Sequence, residues 1–361
     1  MLGRRLLIPS ASAASLVALL LLSVACGSAD GESAGEGGSG LRVVTTTPLL
    51  AEFAARVAGD DAEVSALIPR GVDLHSWQPS TAVARDIAGA DVLIVNGFNL
   101  EESLLRIVEQ NAAEGAPIVV AAAGLEPLEG GHDHADEDHA DEDHADEDRA
   151  DEDHADEDHA DEDHADEDHA DEDHADEDHA DEDHANEEHA EGDPHLWLSV
   201  PNAIRYVENI RDALVAADAE RAAGYEERAE AFIAELTELD AEIREALSAI
   251  PEERRTIVAF HDAYQYLAHE YGLEVVASVA PANPNQETSA QAIAEIVEEV
   301  QALGVAAVYK EPQFSAQSLE LIAQESGARV LVLRSTLSDD VPTYAEMMRA
   351  NAASLVDGLG G

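Results

Sequence analysis

The chain has 361 residues, and its 79 Asp and Glu against 19 Lys and Arg give a formal charge of -60. That balance repels a polyphosphate backbone and excludes nucleic acid as a natural partner. One cysteine excludes a disulfide framework and any Cys-rich zinc module, while 45% hydrophobic residues over this length can bury two cores.

Residues 1–25 have a basic start (Arg4, Arg5), an apolar run over 16–22 and small residues before Cys26. This is the layout of a secretory signal, so the protein is expected to be exported. A cysteine directly after such a run resembles the lipobox of bacterial lipoproteins, with Ser23 where Leu is usual and Leu22 one place early. Lipidation at Cys26 would anchor the chain to the outer face of the cytoplasmic membrane. A plain signal peptide with an incidental cysteine would leave it periplasmic. Residues 26–40 are rich in Gly, Ser and Glu and read as a flexible tether. No later segment approaches the ~18 consecutive apolar residues of a membrane span.

From Leu41 short apolar runs alternate with helical stretches. Strands are predicted at 41–47, 62–68, 91–97 and 117–121, with helices near 49–58, 79–89 and 101–113. A second set follows, with strands at 256–260, 274–280, 306–310 and 329–333 and helices near 262–271, 288–302, 315–326 and 343–357. The alternation predicts an α/β fold of two lobes, each a mainly parallel sheet flanked by helices. We place the first lobe at 41–199, a helical region at 200–250 and the second lobe at 251–361. Within the helical region, Asp218 can cap a helix over 219–250 that is free of proline until Pro251. Continuous, it is a rod of roughly 48 Å that joins the lobes stiffly; broken near Gly224, it is a helical hairpin.

Residues 132–191 repeat the pentad HADED and hold 34 acids against one base, Arg149, so they carry -33 of the charge and leave -27 for the rest. A five-residue period matches neither helix nor strand, and nothing there is larger than alanine among the apolar residues. A disordered loop over about 126–192 is therefore expected. Its twelve histidines among carboxylates offer loose ligands for a divalent cation. Such a loop suits a reservoir better than a specific site.

A specific site then draws on the four remaining histidines. His75 and His261 each follow a predicted strand, at the carboxyl end where open α/β sheets bind ligands. His195 lies where the repeat ends. His269 is eight residues along a helix from His261, about 12 Å of rise, too far for two ligands of one zinc. It reads as a surface or lobe-packing residue.

The segments DLHSWQPS (73–80), NGFNLE (96–101), DPHLWLS (193–199), AFHDAYQYLAHEYGL (259–273), EPQFS (311–315) and YAEMMRAN (344–351), with the histidine-rich loop, resemble the zinc-uptake substrate-binding lipoproteins of ABC transporters. The resemblance covers about 41–361 apart from the repeat. It implies two α/β lobes joined by a long rigid helix, with a zinc ion held in the cleft between them as cargo. It also implies a permease and its ATPase subunit as partners, a monomer, and no enzymatic activity. The family's histidine ligands fall on His75, His195 and His261. Manganese-binding relatives usually have a carboxylate at the position of His261, so histidine there favours zinc. The family's carboxylate ligand precedes the tyrosine matching Tyr344, where this chain has Pro342. Asp340 is the nearest replacement, Asp339 the next, and water a further option. Glu311 reads as a capping or packing residue before Pro312. Trp77 and Trp197, each two residues past a predicted ligand, are expected near the metal.

Other functions remain to be weighed. Cargo could be manganese or iron, or the protein could be a surface adhesin or zinc-buffering lipoprotein. A secreted zinc hydrolase lacks an HExxH helix and any general base placed by spacing.

Overall fold

The computed structural model describes residues 40–128, 192–280 and 288–360. The expected signal segment, the tether with Cys26 and the histidine-rich repeat lie outside the described residues. No helix among the described residues is long and apolar enough to cross a membrane.

The first lobe runs β1 (Leu41–Thr45), α1 (Pro48–Ala58), β2 (Ala62–Ala66), α2 (Val83–Ala88), β3 (Val92–Val95), α3 (Glu102–Asn111) and β4 (Ile118–Val120). Its strands are all parallel, in the order β2-β1-β3-β4. Two helices follow, α4 (Val200–Ala217) and α5 (Ala222–Ser248). The second lobe runs β5 (Thr256–Ala259), α6 (Gln265–Tyr271), β6 (Glu274–Ser278), α7 (Ala290–Leu303), β7 (Ala307–Lys310), α8 (Gln317–Ser326), β8 (Arg329–Val332) and α9 (Tyr344–Leu359). Its sheet is also parallel, in the order β6-β5-β7-β8. In both sheets the chain reverses its direction of travel between the first strand and the third. That switch opens a crevice at the carboxyl ends of β1 and β3 in one lobe and of β5 and β7 in the other.

Local chemistry fixes the helix ends that border this crevice. Thr47 precedes Pro48 at the start of α1, and its hydroxyl accepts the Leu50 N–H at 3.3 Å. At the start of α9, Thr343 and Glu346 form a reciprocal capping box.

The 27 residues of α5 make a rod of about 40 Å. Tyr225, Ala229, Phe232, Leu236, Leu239, Ile243 and Leu247 recur every three or four positions and bury one stripe. The stripe packs against α1 and α4 from the first lobe side and against α9 from the second. Phe232 meets Phe53 of α1 edge to face at 5.6 Å, and Phe53 meets Tyr344 of α9 at 5.3 Å. Truncating such a buried aromatic costs about 3–5 kcal/mol. One continuous core thus threads both lobes, and a smaller cluster around Val258, Val308 and Leu319 fills the other face of the second sheet.

Asp218 does not open α5. It closes α4, where its N–H donates to Leu214 O, and its carboxylate accepts from Arg221 and from the Tyr225 hydroxyl at 3.4 Å. The chain turns at residues 218–221, and Gly224 lies inside α5. Either end of a helix welcomes an Asp that bonds locally, so the residue alone could not say which end it marks.

Candidate metal centre

Three loops deliver one histidine each. His75 sits in the connection between β2 and α2, His195 opens a 3-10 turn (Leu196–Leu198) before α4, and His261 follows β5. His75 and His195 share a local device. In Asp73-Leu74-His75 and Asp193-Pro194-His195 the aspartate Oδ1 accepts the histidine backbone N–H, at 3.1 and 3.0 Å. This turn fixes the direction in which each histidine leaves the chain.

The rings are aimed by carboxylates. Asp193 Oδ1 also accepts from His195 Nδ1 at 2.7 Å, and Glu311 Oε1 accepts from His261 Nδ1. An ionised carboxylate can only accept, so Nδ1 carries the proton in both rings and Nε2 turns inward. His75 Nε2 lies 3.0 Å from His195 Nε2, which lies 3.4 Å from His261 Nε2. All three ligand atoms fall within 4.8 Å of one another. Tetrahedral zinc with bonds of about 2.0–2.1 Å requires nitrogens about 3.3–3.4 Å apart. Two bare lone pairs facing each other at such distances repel unless a cation or a proton stands between them.

The electrostatics follow from burial. His195 and His261 are 4% and 6% exposed, and Glu311 is 1% exposed. Burial, reinforced by the two neighbouring imidazoles, pushes His75 down to about 3. Burial also pulls His261 down, but the charge and hydrogen bond of Glu311 outweigh it and leave His261 above its ordinary value. Conversely, His261 and the Ser335 hydroxyl overcome burial to hold Glu311 below the usual carboxylate range. Ser335 Oγ donates to Glu311 Oε2 at 2.5 Å, and Gln313 Nε2 donates to the same oxygen at 2.9 Å. Asp73, Leu74, Gln313, Phe314 and Ser335 complete the wall of a small cavity of about 10 Å³. That is room for about one water-sized particle, so the space suits an ion rather than an organic solute.

The NGFNLE segment supports this centre from behind. Gly97, Phe98 and Asn99 all have positive φ, a strained path for the two non-glycine residues. Buried Glu101 fastens the turn by accepting from the Asn96 N–H at 2.8 Å and the Thr46 hydroxyl at 2.5 Å. Asn96 Nδ2 then donates to Pro194 O at 3.0 Å, next to His195.

His75, His195 and His261 are brought together; Asp340 is not. Ser338 and Val341 pair across a tight turn and leave Asp340 at its tip, 68% exposed. There it accepts from Arg334 at 3.1 Å and from the Ser338 hydroxyl at 2.7 Å. Asp339 is likewise exposed. This corrects the expectation that Asp340 completes the ligand set. Glu311 goes beyond its expected packing role, since its buried side chain also holds His261. Asp193 is a further addition, and its signal was the Asp-x-His spacing that the sequence shows twice. Trp197 is buried beside His195, ring centres 5.4 Å apart. Trp77 is partly buried against the core and does not line the cavity. His269 is exposed at the end of α6.

Residues 43–358 match the family model described as "ZnuA: Zinc-uptake complex component A periplasmic". The chain is 28% identical over 351 residues to the manganese-binding lipoprotein MntA of Halalkalibacterium halodurans, covering 95% of this chain and 96% of the relative. It is 29% identical over 352 residues to the high-affinity zinc uptake system protein ZnuA of Bacillus subtilis, covering 95% and 96%. Among solved structures, the fold resembles a manganese-bound periplasmic metal-binding protein from Candidatus Liberibacter asiaticus, with a TM-score of 0.67 at 23% identity over 88% of this chain and 99% of that one. Two parallel-sheet lobes and a family match over nearly the whole chain outside its first residues lead to one conclusion: the protein belongs to the ZnuA family of periplasmic metal-binding components of uptake systems.

Proposed function

We propose that the protein captures Zn(II) outside the cytoplasm on His75, His195 and His261 and hands it to an ABC permease, with the ion as cargo. The observation that carries this reading is the convergence of three Nε2 atoms at 3.0 and 3.4 Å, two of them aimed by carboxylates. An all-imidazole set favours zinc over manganese, which prefers oxygen. A water reaching His75, the partly buried member, completes the tetrahedron. Buried Asp193 and Glu311 balance the two positive charges of the ion without touching it. The continuous core through α5 favours small local shifts on loading over a wide hinge closure, and the permease reads those shifts. Residues 1–25 act as the export signal, Cys26 as a lipid anchor and residues 26–40 as its tether. The histidine-rich repeat serves as a loose local store.

Binding of zinc and manganese to the chain lacking its leader, measured by competition with chelators, tests this reading. One equivalent of zinc bound more tightly than manganese is expected, and loss of that equivalent in His261→Ala. Tighter manganese binding would overturn the cargo, and an unchanged His261→Ala affinity would overturn the ligand set. Failure of a deletion strain to grow under zinc limitation, with rescue by added zinc, is the expected phenotype; normal growth would remove the transport role.

A further inference from the structure

Ser335, in the loop between β8 and α9, bonds in two directions, and its hydroxyl oxygen also accepts the Gln313 amide at 3.2 Å. Its hydroxyl donates to Glu311 Oε2 at 2.5 Å, and Glu311 holds His261. Its carbonyl accepts the Trp197 indole N–H at 2.9 Å, and Trp197 packs on His195. The residue is 5% exposed and itself lines the cavity. Its loop also crosses to the first lobe, where Leu337 O accepts the Gly71 N–H at 2.9 Å and Pro342 O accepts from Arg70 at 2.8 Å. Trp197 is fixed from its other side, because the Tyr344 hydroxyl donates to Trp197 O at 2.8 Å.

We propose that Ser335 is the positioning residue that sets His195 and His261 in register across the cleft. It touches neither ring. It acts on His261 through the direction of the Glu311 carboxylate and on His195 through the seat of the Trp197 ring. A metal centre tolerates little error in nitrogen spacing, and partners one shell out typically change affinity 10–100-fold when removed. With the hydroxyl gone, Glu311 Oε2 loses one donor and keeps the Gln313 amide at 2.9 Å, which itself loses its contact with Ser335 Oγ. The carboxylate is then free to turn and His261 to follow. The Trp197 bond is to the backbone, so it survives a side-chain change at 335 and separates the two halves of the role.

This inference rests on the zinc-binding reading above. It is tested on the full mature chain with zinc as the probe. Wild-type protein must first bind one equivalent; if it binds none, the zinc-binding reading itself fails. Given that binding, Ser335→Ala should weaken affinity about tenfold with the heat stability of the metal-free protein nearly unchanged. In a Glu311→Gln background the same change should cost less than about twofold, because both substitutions cut one path. Ser335→Thr, which keeps an O–H donor, should recover most of the affinity. Trp197→Phe removes the other bond and should add to Ser335→Ala rather than overlap with it. Unchanged affinity in Ser335→Ala, or an equal loss in both Glu311 backgrounds, overturns the proposal. Should the alanine variant not fold, Ser335→Cys keeps the shape with a weaker donor and supplies the same comparison.

Discussion

His261 and Glu311, 50 residues apart in the chain, meet because they follow the ends of β5 and β7, which are hydrogen-bonded neighbours in the second sheet. Their contact fixes the proton on Nδ1 and turns Nε2 toward the other two histidines. Glu311→Gln keeps the size but puts an amide where the acceptor was, so half of its orientations present an N–H to Nδ1. Zinc affinity is expected to fall about 10–100-fold, read by chelator competition. No change would mean that packing alone orients His261.

The same pair gives the site its pH dependence. Glu311 holds His261 above its ordinary value, so a proton occupies that ring at pH values where a free imidazole has begun to lose it. Metal must displace this proton, and affinity therefore falls as pH drops through the raised value, by about tenfold per pH unit. His75, pushed down to about 3, adds no competition near neutrality. Titration calorimetry of zinc binding in buffers of different ionisation heats should show protons released near neutral pH, and fewer in Glu311→Gln. Equal release by the two proteins would separate the proton from His261.

The sequence carried the three histidines because each stands in a motif that announces a loop at the carboxyl end of a strand or the edge of the repeat. It carried the two lobes because parallel strands buried on both faces read as unbroken apolar runs such as VLIV of β3. Glu311 was illegible for a topological reason, since only the strand order β6-β5-β7-β8 makes it a neighbour of His261. Asp340 misled because distance along the chain to Tyr344 says nothing about a turn. The pairing of Ser338 with Val341 points Asp340 to water, where Arg334 holds it. The break between α4 and α5 falls where the sequence starts its long helix, near 219, but Asp218 ends α4 rather than opening α5, which begins at Ala222.

Asp340→Ala should leave zinc affinity within about twofold of wild type, the range left to a charge that touches no ligand and is screened by solvent. Chelator competition on the variant beside His261→Ala checks this. A large loss in Asp340→Ala would bring the turn into the metal's coordination and restore the ligand that the structure withholds.

Glu52 of α1 accepts the Tyr344 N–H at 2.6 Å and so joins the first lobe to the start of α9. Burial raises its carboxyl from 4.5 to about 7, against opposing pulls from that N–H and from Arg56 and Arg70. A carboxyl whose folded value lies above its unfolded one binds its proton more tightly when folded. Its stabilising contribution is full below about 4.5 and is lost as pH rises through about 7. Glu52→Gln keeps an acceptor without the charge. It should melt higher than wild type at pH 8, by about 2–4 °C, with the advantage gone at pH 5. A variant that is less stable at both values would mean the ionised carboxylate supports α9.

Trp197 packs on His195 and donates to Ser335 O, whereas Trp77 sits against the first lobe's core with its carbonyl accepting the Ser103 hydroxyl at 3.3 Å. Placing a divalent ion on His195 puts positive charge close to the Trp197 ring and polarises its neighbour. Tryptophan emission should therefore change on adding one equivalent of zinc. The change should persist in Trp77→Phe and vanish in Trp197→Phe, provided both variants still bind the ion by chelator competition. A response that instead disappears with Trp77 would place the moving part of the site in the His75 loop rather than in the seat of His195.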